Sequence, residues 1–195
     1  MKRVNSRKEQ TEKLVLMALL AALVAVLSYL GGFIRIGSLA SINLTLVPVV
    51  IGGALFGPIA GAMLGAVSAV IFFFTTDALF WFGLSIPGTI ITVMTKGIMA
   101  GLCAGSVYKL LEKVSRYFAV VVSAIVCPVV NTGIFIGGCL IFFMDNVKTG
   151  ADKKGVSVAA FLILFYVGLN FVFELVANVI LGPAMYRLIN IRKKS

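Results

Sequence analysis

The chain contains no histidine and only seven acidic residues in 195, and these two shortages exclude a great deal. Without histidine it lacks the commonest general base and the commonest metal ligand. It has no G-x-S-x-G stretch, no paired carboxylates and no G-x-x-x-x-G-K-[ST] phosphate loop. Neither nucleophilic catalysis nor nucleotide hydrolysis by this chain is therefore expected. Cys103, Cys127 and Cys139 show no C-x-x-C spacing and fall in apolar stretches, where they read as small buried hydrophobes. The expectation is a chain that is not an enzyme and that carries no metal and no cofactor.

What is abundant is hydrocarbon. Hydrophobic residues make up 61% of the chain and its mean hydropathy is +1.10, against about 45–50% apolar in ordinary globular domains. This is the composition of an integral membrane protein. The formal charge of +10 does not point to nucleic acid, because the basic residues flank apolar segments and no nucleic-acid motif is present. The N-terminus is basic and then strongly apolar but lacks a convincing A-x-A cleavage site, so it is expected to stay as a first span.

The apolar runs predict an all-α bundle of six transmembrane helices, at 14–33, 43–56, 58–76, 87–111, 117–144 and 156–189. Residues 1–13 form a polar N-terminal segment, 14–190 the membrane domain and 191–195 a basic tail. Pro58 suits the first turn of a helix, where its missing N–H would be unpaired anyway. Residues 77–86, which include Phe80, Trp81 and Phe82, and the hydrophilic stretch 145–156 read as loops, on the same side as 31–42. Twelve Lys and Arg residues fall on one side of this arrangement; four fall on the other, namely Arg35, Lys148, Lys153 and Lys154. The side with twelve is expected to be cytoplasmic and to hold both termini.

Lys96 and Glu174 stand alone near the middle of such runs. A charge at the bilayer centre costs roughly 3 kcal/mol or more, so it persists where it is paired, solvated in a cavity or used. Thr89, Thr92 and Lys96, at i, i+3 and i+7, share one face of the fourth helix; Asn170, Glu174 and Asn178, at i, i+4 and i+8, share one face of the sixth. Asn131 and Thr132 lie near the middle of the fifth, and Asn43 opens the second. These faces are expected to converge on a polar pocket open to the outside, with Lys96 roughly 13 Å below the outer end of its helix. The candidate ligand contacts are Asn43, Trp81, Thr89, Thr92, Lys96, Asn131, Asn170 and Glu174. Alternatives stay open for several. Lys96 and Glu174 fit a purely structural ion pair as well as a pocket floor. The asparagines fit interhelical glue, at about 0.6 kcal/mol per contact. Trp81 fits an interfacial belt or a lid stacked on a flat ring, and Arg35 fits an attractor of anions or a ligand for lipid phosphate.

Small residues recur at spacing four. Gly53, Gly57, Gly61, Gly65 and Ala69 do so across the second and third spans, with Gly57 to Gly65 as the continuous part, and read as close helix packing. Ala18 with Ala22, and Ala21 with Ala25, make a flat surface on the first span where a partner helix could lie.

With these residues in view, the chain resembles the S components, the substrate-binding membrane subunits, of energy-coupling factor (ECF) vitamin transporters. The resemblance is carried by Ala18 and Ala22, by Leu46-Val47-Pro48 and Gly52-Gly53-Ala54-Leu55-Phe56-Gly57-Pro58-Ile59-Ala60-Gly61, by Pro128-Val129-Val130-Asn131-Thr132-Gly133, and by the segment from Asn170 to Pro183. It covers nearly the whole chain and implies a six-helix bundle in the bacterial plasma membrane that binds one vitamin-like molecule at its outward face. It also implies docking, through Ala18, Ala21, Ala22 and Ala25, on a transmembrane coupling subunit with two ATPase subunits. Pantothenate, a folate-like or a riboflavin-like molecule are the candidate substrates. Two other readings compete: a non-transporting membrane scaffold, which would not need Lys96 and Glu174, and a self-sufficient ion-coupled carrier, which the small size and the lack of a clear second inverted repeat disfavour.

Overall fold

The computed structural model describes the backbone of residues 2–31, 35–36, 40–41 and 44–194, and the side chains of 10–31, 44–168 and 170–192. It is helical almost throughout. Helix α1 (Lys2–Gly31) leads to a two-residue antiparallel ladder of β1 (Arg35–Ile36) and β2 (Ala40–Ser41), with Arg35 opposite Ser41. Then follow α2 (Leu46–Phe56), α3 (Pro58–Phe72), α4 (Thr76–Leu84), α5 (Ile86–Leu111) and α6 (Arg116–Phe142). The chain ends in α7 (Met144–Lys154), α8 (Val158–Phe161), a π-helical turn (Leu162–Val167), α9 (Gly168–Ile180) and α10 (Gly182–Lys194).

Local chemistry explains most of these boundaries. Gly57 takes φ +96°, open to glycine and strained for other residues, so α2 stops there and Pro58 starts α3 with no N–H to leave unpaired. The hydroxyls of Ser85 and Ser115 accept the backbone N–H of Gly88 (3.2 Å) and Phe118 (3.4 Å), capping α5 and α6. Gly155, in the left-handed region at φ +65°, ends α7.

Among the described residues, three helices, Gln10–Gly31, Ile86–Leu111 and Arg116–Phe142, are long and apolar enough to cross a membrane, and two bent pairs raise the number to five if each pair counts as one span. Several expectations need correction. The second predicted span is an 11-residue helix, about 16 Å long and shorter than a hydrocarbon core of about 30 Å. The predicted loop 77–86 is largely the helix α4, set at 83° to α3. The predicted loop 145–156 is largely α7. Its Val147 and Ala151, four residues apart, are both buried, Asp145 sits in its first turn and Lys153 and Lys154 in its last, where each charge suits the helix dipole. The long sixth helix is broken. A 51° bend separates Val158–Val167 from Asn170–Ile180, Gly168 has φ +32°, and a further break precedes Gly182-Pro183.

The closest packing joins α3 to α5. Gly61 lies against the backbone of Gly101 and Gly65 against that of Gly97, so that a methyl group on any of the four would strike a carbonyl. Gly53 of α2 also lies close to the backbone of Gly105, Cα against Cα. The glycine stripe predicted for spans two and three is thus real, but Gly57 is its turn and not a member, with open space beside its Cα. The complementary stripe, Gly97, Gly101 and Gly105, has the same spacing of four and escaped the sequence reading. Two apolar clusters flank the middle of the bundle. One joins Val24, Val49, Val120, Cys127, Met185 and Ile189. The other joins Cys139, Phe143, Val147 and Phe161.

Candidate functional site

Between these clusters lies a polar layer. Helix α5 runs from the second cluster toward the first and brings Lys96 in between; antiparallel α6 does the same with Asn131. A partly open cavity of about 60 Å³ forms there, walled by α1, α2, α3, α5 and α6. Its polar lining is Ser28, Thr45, Ser68, Lys96 and Asn131, and its apolar lining includes Val49 and Phe72. The Ser28 and Ser68 hydroxyls are 3.3 Å apart and link α1 to α3 across it.

The Lys96 ammonium sits over two ring faces, 5.5 Å from the Phe72 centroid and 5.0 Å from that of Phe135. Such contacts contribute about 0.5–2 kcal/mol each, more where water is excluded. Glu174, on α9, is 8% exposed. Its carboxylate is close enough to Lys96 for a Coulombic interaction and within reach of the Asn131 amide as a donor. Among the described residues, the ion pairs within 4 Å do not include Lys96 with Glu174. The two charges share a neighbourhood without touching.

Phe135 links this layer to a stack of aromatics. Trp81 packs edge-on against Phe135 at 5.2 Å, Phe143 at 5.3 Å, Tyr166 at 5.1 Å and Phe80 at 5.3 Å. It is half-buried within a cluster, one ring removed from Lys96, and its backbone carbonyl accepts the Thr89 hydroxyl at 2.8 Å. Thr89 also reaches the Ser85 carbonyl at 2.7 Å, so its hydroxyl ties α4 to the start of α5. Thr92 is buried against Gly138 of α6. Of the eight residues singled out from sequence, Lys96 and Asn131 line the cavity and Glu174 stands beside Asn131. Trp81 is joined to them through Phe135. Thr89 and Thr92 face α4 and α6 instead, and Asn170 is half-buried one turn before Glu174. Asn43 lies outside the described residues, as does the side chain of Arg35.

Ser28, Thr45, Ser68, Phe72 and Phe135 were missed, although the pattern held a signal for some of them. Ser28 continues the inward stripe of Leu20 and Val24 at spacing four, and Ser68 and Phe72 extend the face of Gly61 and Gly65. On α1, Ala18 and Ala22 are exposed between bulky exposed neighbours such as Leu14 and Val26, whereas Ala21 and Ala25 are half-buried and Ala21 packs on the core. The arrangement can hold a small molecule through one ammonium, an amide, hydroxyls and ring faces. Among the described residues no group of three or more His, Cys, Asp or Glu could hold a metal.

A family model described as "ECF transporter, substrate-specific component" matches residues 12–186. No curated protein and no solved structure gives a significant match to the chain.

Proposed function

The chain belongs to the family of ECF transporter substrate-specific components, and from that premise we propose that it captures a vitamin or related micronutrient at the outer face of the bacterial plasma membrane and delivers it inward when docked on an ATPase-driven coupling module. The cavity between α1, α2, α3, α5 and α6 carries this reading, because it gathers Lys96, Asn131 and three hydroxyls inside an otherwise apolar bundle. Buried polar groups are costly in lipid and are kept where they bind something or each other. Pantothenate, a folate-like or a riboflavin-like molecule are the candidate substrates.

In this reading six segments cross the membrane: α1, the short α2, α3, α5, α6 and the bent helix of α8 and α9. The excess of Lys and Arg at the termini and between α5 and α6 puts both ends of the chain in the cytoplasm. The sequence has no phosphate-binding loop, so energy comes from partner ATPases, through a transmembrane coupling subunit that docks on the small-residue face at Ala18 and Ala22. Proteoliposomes test this. The chain alone should bind a vitamin without accumulating it, and accumulation should need the coupling module and ATP. Uptake by the chain alone, or no binding and no uptake of any vitamin, would overturn the proposal.

A further inference from the structure

The cavity's charge is one-sided. Among the described residues, its lining contains a single ionisable residue, Lys96, and no carboxylate. The sequence deepens that asymmetry, since no acidic residue occurs between Glu12 and Asp77, nor within α5 or α6. All five walls of the cavity are therefore free of anions over their membrane lengths, as is the connection 32–43 between α1 and α2. Glu174 is the one acid near the middle of a span. It is held off the lining on α9, within reach of the Asn131 amide that does face the cavity. In that position it stands behind Asn131. Meanwhile the ammonium rests on the faces of Phe72 and Phe135, a weaker partnership than a contact ion pair.

We propose that the substrate presents a carboxylate to Lys96, which turns from the two ring faces to meet it, so that Lys96 determines specificity for anionic micronutrients. This rests on the substrate-binding reading given above. A cavity of about 60 Å³ takes a head group and not a whole vitamin, for which pockets of about 300–1,000 Å³ are usual. The remainder of the molecule then lies outward of Lys96, and the Ser28 and Ser68 hydroxyls supply a donor for a second carboxylate oxygen.

The test is equilibrium binding to the purified full chain in detergent. One set of probes is biotin, pantothenate, nicotinate and folate, which bear a carboxylate; the other is riboflavin, pyridoxine and thiamine, which do not. At least one carboxylate probe should bind, and its uncharged amide analogue should bind at least about thirtyfold more weakly, as should the acid to Lys96→Met. Lys96→Arg should retain affinity within about tenfold. Should Lys96→Met fail to fold, the acid–amide comparison on the unaltered protein still decides the matter. Tight binding of riboflavin, pyridoxine or thiamine, with no carboxylate probe bound, would overturn the inference while leaving the substrate-binding reading intact. Retention of no vitamin at all would overturn both.

Discussion

The glycine seam between α3 and α5 allows one substitution to be tried at two places with opposite expected signs. Gly101 and Gly137 are both helical and both lie in apolar segments. A Cβ at Gly101 would overlap the Gly61 carbonyl, whereas at Gly137 it would meet nothing within 4 Å. Ordinary contact needs about 3.4 Å, so alanine at Gly101 forces the two backbones roughly an ångström apart. Overpacking of this kind costs about 1–3 kcal/mol. Alanine at Gly137 should instead gain about 0.5–1 kcal/mol from reduced backbone freedom in the unfolded chain. At about 2–4 °C per kcal/mol for a chain of this size, the two variants should differ in Tm by several degrees, with the unaltered protein between them. Thermal unfolding in one detergent, followed by monodispersity on size exclusion, would show this. Separation of α3 and α5 should also lift Phe72 away from Lys96, lengthening a cation–π distance of 5.5 Å toward the reach of about 6 Å at which such contacts fade. Equal Tm values for Gly101→Ala and Gly137→Ala would refute the close approach itself.

Three further expectations follow from other parts of the fold. Ala22→Trp fills the exposed small-residue face of α1; vitamin binding by the isolated chain should persist while co-purification with the coupling module falls at least tenfold, and unchanged co-purification would place docking elsewhere. Trp81→Ala removes the ring that backs Phe135, Phe143 and Tyr166 and should cost about 3–5 kcal/mol, read as a Tm lowered by roughly ten degrees; a shift of a degree or two would mean that the aromatic stack carries little of the fold's stability. Arg192→Ala breaks the 2.8 Å ion pair with Glu12, whose partners are 36% and 45% exposed. A loss below about 1 kcal/mol should leave Tm within about 4 °C, and a larger drop would show that this pair anchors α10.

The membrane class, the long helices α1, α5 and α6, and the isolation of Lys96 and Asn131 in the middle of apolar runs could be read from the sequence because hydrophobic runs encode them directly. Both of these residues line the cavity. The threonines on the same helical face as Lys96 do not line the cavity with it, for a physical reason. A shared face fixes direction only to within a broad sector, and over seven residues Thr89 and Thr92 drift onto α4 and α6. Helix α7 was missed because only Val147 and Ala151 are buried in an otherwise charged stretch; an apolar stripe two residues long is too faint to see. The bend after Val167 arises from a single glycine and a π-helical turn, and no periodicity announces it. Phe72 and Phe135 are aromatics in a chain rich in them, so nothing in composition marked them as the seat of the ammonium.

Where main chain touches main chain, as at Gly61 with Gly101 and Gly65 with Gly97, there are no rotamers to reshuffle and no soft side chains to yield. Helices α3 and α5 therefore form a stiff keel that carries Phe72 and Lys96 as one piece. A change of shape is then easier in the elements that meet this keel through side chains, α1, with its Ser28–Ser68 contact and its packed Leu20 and Val24, and the jointed α9.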